Sequence, residues 1–202
     1  MKYIVKGGEP TSFVQWKSKN RRANWDVFSQ EEHQPVKQEL KRNLCREQGN
    51  MCCYCEVKIE CDIHSHIEHL KPKSQFPKSA LKYENLLASC MSKDSCGHKK
   101  QGQYFPQMVS PLKPNCQGRF TYTANGKIIP KREDDKYAQK TIDVLGLNSK
   151  YLRDRRKSII KALDSPGMGN DYIIDSLENC CEWYDGFYTL IEYIACKRGV
   201  KN

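Results

Sequence analysis

Two cysteine pairs constrain this chain more than any other feature: Cys52-Cys53-Tyr54-Cys55 and, further along, Cys90 and Cys96 with five residues between them. A Cys-x-x-Cys turn aims two thiolates at one point in space, and a second pair converging there completes the tetrahedral sulfur set of a closed structural zinc site. The Cys52–Cys55 turn is a strong half-site alone, whereas the Cys90–Cys96 spacing is weak until the first pair is beside it. Cys53 competes within the turn, although Cys53-x-Cys55 is the poorer chelate. Cys45, Cys61, Cys116, Cys180, Cys181 and Cys196 read as small buried apolar residues. The eleven cysteines are odd in number and follow no secretory signal, so reduced thiols in the cytoplasm are expected rather than a disulfide framework.

The formal charge of +10 over 202 residues favours a polyanionic partner, nucleic acid being the commonest. No stretch approaches the roughly 20 apolar residues that span a bilayer. A P-loop is absent, so any nucleotide control must come from another chain.

Between the cysteine pairs lies His64-Ser65-His66-Ile67-Glu68-His69-Leu70-Lys71-Pro72. Read as a strand of period two, it puts Glu68 on one face with His66 and His64, and His69 on the other with Ile67 and Ser65. Asn85 falls in a polar turn before Leu86-Leu87, and Cys96-Gly97-His98-Lys99-Lys100 should open a short helix. Elsewhere, Tyr3 to Val5 reads as an edge strand, and Pro35 to Gln48 as a helix stopped by Gly49, with Leu40 and Leu44 on its core stripe. Trp16 and Trp25, interleaved with Lys17, Lys19, Arg21 and Arg22, read first as core residues. Arg119 to Ile129 has the signature of a hairpin turning at Asn125-Gly126. Residues 134–163 read as two helices divided near Gly146, and 171–197 as one apolar helix with surface to spare for a partner. Arg153, Arg155, Arg156 and Lys157 form a basic helix face able to track a phosphate backbone.

In this order, Cys-x-x-Cys, Glu68-His69-x-x-Pro72, Glu84-Asn85-Leu86 and the Cys pair running into Gly97-His98-Lys99-Lys100 resemble an HNH (ββα-metal) nuclease with a zinc-stapled finger. The wider chain resembles the PtuB family, the HNH subunits of Septu and retron-associated antiphage systems, through its MKYIVKGG start, its Cys52–Glu56 core, the Arg119–Pro130 hairpin and the stretch from Ile142 to Arg156. The resemblance implies that His69 is the general base, with Asn85 holding the loop and orienting it. It implies that Glu68 and His98 hold a catalytic Mg²⁺ or Mn²⁺, and that Cys52, Cys55, Cys90 and Cys96 hold a structural Zn²⁺. Lys71, Lys99, Lys100, Arg155 and Arg156 would then contact nucleic acid. An SMC-like ATPase subunit, PtuA, and retron components are the implied partners. Most family members carry Asp where this chain has Glu68, which alters geometry more than chemistry. His66 rivals His69 as the base, and His98 rivals a thiolate on zinc.

The expected fold class is α+β: an HNH ββα-metal finger stapled by a four-cysteine zinc site, embedded in a mainly helical chain with a small β-hairpin. The expected divisions are an N-terminal strand and helix region (1–50), the zinc-stapled core (51–104), an irregular segment with the hairpin (105–132) and a helical, partner-binding region (133–202). Two other classes fit the same cysteines: a non-catalytic zinc module that binds nucleic acid or protein, and a redox or zinc-sensing dithiol. The order Glu68-His69, Asn85, His98 separates the nuclease from both, because neither needs it.

Overall fold

The computed structural model describes residues 1–165, 168–179 and 185–200. Its N-terminal part is built on α3 (Gln34–Glu47), which carries proline in its first turn, where a missing amide costs nothing. Gly49, at φ 62°, ends the helix in the left-handed conformation that favours glycine. Leu40 and Leu44 are fully buried on its inner face. Ahead of it, α1 (Thr11–Lys19) and α2 (Trp25–Phe28) fold back over the core. The Asn24 side chain caps α2 by accepting from the amides of Asp26 and Val27, both at 3.0 Å. Phe13, Trp16, Trp25 and Phe28 pack ring against ring, so both tryptophans are core while the basic residues between them remain outside.

Tyr3 to Val5 forms no strand, contrary to the sequence expectation. Its backbone groups find separate partners instead of a ladder: Tyr3 N–H donates to Gln117 Oε1 (3.1 Å) and Ile4 N–H to Pro111 O (2.8 Å). The ammonium of Met1 is buried against Glu56 Oε1 at 2.5 Å, and Thr189 donates through both its amide and its hydroxyl to the same carboxylate.

After α3 the chain turns through the first cysteine pair into an antiparallel pair of strands, β1 (Ser65–His69) and β2 (Leu86–Cys90). His66 faces Ser89 across the ladder and Glu68 faces Leu87. The short helix α4 (Cys96–Lys100) follows. Gln48 ties this unit to α3: its side-chain amide donates to Met51 O and Ala88 O and accepts from Ala88 N–H, all within 2.8 Å. The side chain thereby supplies hydrogen bonds that another strand would make.

The second hairpin, β3 (Phe120–Tyr122) and β4 (Ile128–Pro130), turns at Asn125-Gly126 as expected. Gly126, at φ 78°, admits no side chain, since a Cβ there would lie 2.2 Å from Arg153 O. Helices α5 (Lys136–Val144) and α6 (Lys150–Leu163) begin at side-chain caps from Asp135 and Ser149 and are divided at Gly146. The single helix expected over 171–197 is instead two, α7 (Asn170–Glu178) and α8 (Tyr188–Lys197). Asp185, Gly186 and Phe187 all take positive φ ahead of α8, and a Cβ on Gly186 would meet Glu56 O at 1.9 Å. Phe187, Leu190, Ile191 and Ala195 are buried, so much of the apolar surface expected to await a partner is used within the chain. Cys180, Cys181, Trp183 and Tyr184 lie outside the described residues. Cys45 and Cys116 are buried as expected, whereas Cys61 is half-buried and Cys196 is exposed beside the open groove along β3 and α8. No helix among the described residues is long and apolar enough to cross a membrane.

Arg156, expected on a phosphate-facing surface, is only 2% exposed. Its guanidinium donates to Gly126 O (2.7 Å), Leu147 O (2.6 Å) and Asn148 Oδ1 (3.3 Å), tying the hairpin to the α5–α6 turn. Arg155 points outward and pairs with Asp185 at 2.7 Å. Arg156→Ala should therefore lower unfolding stability by about 2–4 kcal/mol, because buried carbonyls lose a charged donor. Arg155→Ala should stay within about 1 kcal/mol. Chemical denaturation of the two variants beside the parent checks both figures.

Candidate functional site

The sulfur atoms of Cys52, Cys55, Cys90 and Cys96 all lie within 4.8 Å of one another, and all four residues are buried. Cys55 Sγ and Cys90 Sγ are 3.9 Å apart. Zn–S bonds of about 2.3 Å in a tetrahedron separate sulfurs by roughly 3.8 Å, so the thiols already stand at the spacing of a closed zinc site. Local backbone explains their convergence. Cys52 N–H donates to Val57 O (2.9 Å) and Glu56 N–H to Cys52 O (3.0 Å), closing the first turn with Glu56 at φ 64°. Cys90 ends β2, and Cys96 opens α4 at φ 59° with its amide on Leu145 O (2.7 Å).

The electrostatics of the four thiols suit a bound cation. Burial opposes ionisation of Cys52, yet hydrogen bonds from Cys53, Cys55, Cys90 and Cys96 outweigh it and hold this thiol well below its usual range. Burial and the same neighbours push Cys96 well up, and hydrogen bonds with Cys52 and Cys90 push Cys55 up. Four buried sulfurs cannot all ionise without a bound positive charge, and the donor set fits zinc. Cys53 stands outside the set, its amide on Ala88 O (3.0 Å) and its thiol raised by burial and by Cys52. His98 also stands outside it, against His66.

One face of β1 carries Glu68 and His66. Glu68 is buried, and its two oxygens differ in their surroundings. Oε1 accepts from Lys100 Nζ (2.8 Å) and from the Tyr54 hydroxyl (3.1 Å), while Oε2 faces His66 Nε2 at 3.6 Å. Burial works to raise the Glu68 carboxyl, but His66 and Lys100 prevail and hold it below the usual range, so it is ionised at neutral pH. His98 on α4 is exposed, with its ring centroid 4.5 Å from that of His66. Among the described residues the four thiols are nevertheless the one such group whose ligand atoms all lie within 4.8 Å.

Lys100 corrects the sequence reading. Expected to face nucleic acid, its side chain is 1% exposed and also donates to His69 O at 2.9 Å. An inward Glu68 needs a counter-charge, and Lys100 supplies it, while its neighbour Lys99 is exposed, as is Lys71.

His69 projects from the other face, edge-on to Trp25 with ring centroids 4.3 Å apart. Its Nε2 lies 3.1 Å from Ala80 O. A carbonyl only accepts, so Nε2 carries the proton and Nδ1 is left as the basic nitrogen. Burial lowers the pKa to about 4, which keeps the ring neutral at pH 7. Asn85 brackets the turn after His69: Oδ1 accepts from Lys71 N–H (2.8 Å), and Nδ2 donates to Lys71 O (3.0 Å) and Ser79 O (3.1 Å).

The structure thus brings Glu68, His98 and, unexpectedly, His66 to one side, with His69 and Asn85 behind them. Period two already signalled that His66 and Glu68 share a face, although His66 reads as a surface histidine in sequence. Nothing local distinguished Tyr54, Lys100 or Trp25 as partners of Glu68 and His69.

The purified protein should contain close to one zinc per chain by elemental analysis. Cys96→Ser should lose that zinc together with cooperative thermal unfolding, while His98→Ala should keep both. Zinc loss in His98→Ala would put the imidazole on zinc instead.

No protein-family profile matches the chain. It is 34% identical over 147 residues to a candidate HNH endonuclease of retron Vc95 from Vibrio cholerae serotype O1 biovar El Tor, covering 67% of this chain and 70% of that protein. It is 26% identical over 204 residues to a candidate HNH endonuclease of retron Ec83 from Escherichia coli, covering 79% of each. To the Septu protein PtuB of Bacillus thuringiensis it is 30% identical over 114 residues, covering 54% of this chain and 41% of that protein. The chain belongs to the family of these retron HNH proteins and Septu PtuB.

Proposed function

We propose that the chain is a metal-dependent HNH endonuclease that hydrolyses phosphodiester bonds of nucleic acid, acting in the cytoplasm as the cutting subunit of an antiphage complex. The observation that carries this reading is the unit β1–β2–α4, which gathers an ionised carboxylate, a neutral histidine with a fixed tautomer, a buried asparagine and an exposed histidine beside four converging thiols. The names of the relatives, retron HNH endonucleases and Septu PtuB, point the same way.

His69 accepts the proton of the attacking water at Nδ1. Its Nε2–H, held by Ala80 O, keeps that nitrogen unprotonated and aimed, and the Trp25 ring fixes the imidazole from the side. Asn85 positions His69 by clamping the following turn. Glu68 and His98 would hold Mg²⁺ or Mn²⁺, whose chemistry when bound is to stabilise charge developing on the phosphorane and the leaving oxygen. Zinc on the four thiols is structural. Lys71, Lys99 and Arg155 are placed outside to meet phosphates.

We assign the chemistry to residues 51–104 and its support to 1–50 and 105–132. Within 133–202, Tyr151, Tyr172 and Ile174 are large apolar side chains exposed on α6 and α7, which supports a protein partner there. The PtuB resemblance makes that partner the SMC-like ATPase subunit PtuA, with retron components alongside.

The test is cleavage of plasmid DNA and total tRNA with Mg²⁺ or Mn²⁺, by the chain alone and with its genomic neighbours. Loss of a positioned base typically costs about 10²–10⁴-fold, and His69→Ala should lose rate on that scale with zinc content and melting unchanged. Equal binding of nucleic acid by both proteins with no cleavage by either would instead establish a zinc-stapled binding module.

A further inference from the structure

We propose that His66 is a third ligand of the divalent ion, joining Glu68 Oε2 and His98, and that this set of two imidazoles and one carboxylate makes the site prefer Mn²⁺ to Mg²⁺. The inference rests on the reading above, in which Glu68 and His98 hold that ion.

Glu68 divides its work between its two oxygens. Oε1 is taken by Lys100 and Tyr54, which leaves Oε2 turned toward His66 Nε2 at 3.6 Å. That distance is beyond a hydrogen bond. Two ligand atoms each about 2.1 Å from one octahedral ion stand roughly 3.0 Å apart when adjacent and roughly 4.2 Å apart when opposite. The observed 3.6 Å is wider than the adjacent value, and a shift of about 0.6 Å would bring both atoms onto one ion.

His66 itself is unsatisfied. Its Nδ1 is buried with no hydrogen-bond partner, and the only group near Nε2 among the described ion pairs is the carboxylate. An ion held by Nε2 keeps the proton on Nδ1, so the nitrogen that bears on the proposal is Nε2, which faces Oε2 beyond hydrogen-bond distance.

The backbone opposite comes close at the same place. A Cβ added to Gly97 would lie 2.5 Å from Glu68 Oε2 and 2.5 Å from His66 Nε2. Both atoms therefore meet the α4 backbone at one spot, and only a residue without a side chain lets α4 approach them there. The Gly97 amide, on Ser89 Oγ at 3.2 Å, holds α4 in register over that spot. His98 follows directly on α4 with its ring 4.5 Å from that of His66, and being exposed it joins the set by rotating its side chain.

Ligand chemistry then sets the metal. Mg²⁺ binds oxygen and keeps most of its water, whereas imidazole suits first-row transition ions. Two nitrogens beside one carboxylate favour Mn²⁺, which has little affinity for the thiolate site next door.

The experiment is a titration of the zinc-loaded, full-length protein with Mn²⁺, followed by the electron paramagnetic resonance signal of free Mn²⁺, with Mg²⁺ as competitor. It needs no turnover. The parent should bind one Mn²⁺ at least tenfold more tightly than Mg²⁺. His66→Ala, with zinc content and melting temperature intact, should lose at least tenfold in Mn²⁺ affinity and most of the Mn²⁺ preference. Gly97→Ala, whose Cβ would push Glu68 Oε2 and His66 Nε2 from their places, should also lose Mn²⁺ binding. Where His66→Ala fails to keep its zinc, His66→Gln is read in its place against the same expectation. Unchanged Mn²⁺ affinity and preference without the imidazole overturns the proposal. Glu68→Gln and His98→Ala keep the two readings apart: if these weaken Mn²⁺ and the His66 variants do not, only the third ligand is wrong. If none of them weakens it, the metal site itself fails.

Discussion

Four buried thiols, which cannot all ionise without a cation, converge where the elements of the candidate site meet. They come from the turn after α3, the end of β2 and the start of α4, and the amide of Cys96 carries the tie on to Leu145 beyond α5. The strands they brace are only five residues each, too short to be stable as an isolated pair. Zinc on these sulfurs would do for this unit what a larger apolar core does elsewhere. The opposite aims of Glu68 and His69 follow from the two-residue period of β1.

Around it the chain protects its buried charges by pairing them. Glu68 sits inside only because Lys100 and Tyr54 meet one of its oxygens, an arrangement that leaves the other oxygen available. Glu56, one residue after a thiol of the four-cysteine group, is likewise buried on the Met1 ammonium and Thr189, which draws the chain start and α8 onto the cysteine turn. Arg156 does the same for the second hairpin through carbonyl acceptors. Removing one member of any of these sets strands the others, which is why such residues govern stability more than their exposed neighbours do.

Much of this was legible from sequence because its signals are local. A Cys-x-x-Cys turn, the stripe of α3, an Asn-Gly hairpin and a break at Gly146 each depend on residues a few positions apart, and the structure bears all of them out. Readings that needed a distant partner fared worse. Tyr3 to Val5 has strand-like composition but no neighbouring strand, and 171–197 has helical composition but meets Glu56 O where only glycine fits.

Amino-acid order alone determined that four thiols would converge, that Glu68 and His69 would face opposite ways, and that a short helix bearing His98 would follow. Only the tertiary structure decided which of two adjacent lysines turns inward, that Arg156 braces a hairpin, and that His66 stands between Glu68 and His98. The reason is physical: periodicity assigns a side chain to a face, but the buried charge or open space opposite that face comes from chain far away in sequence.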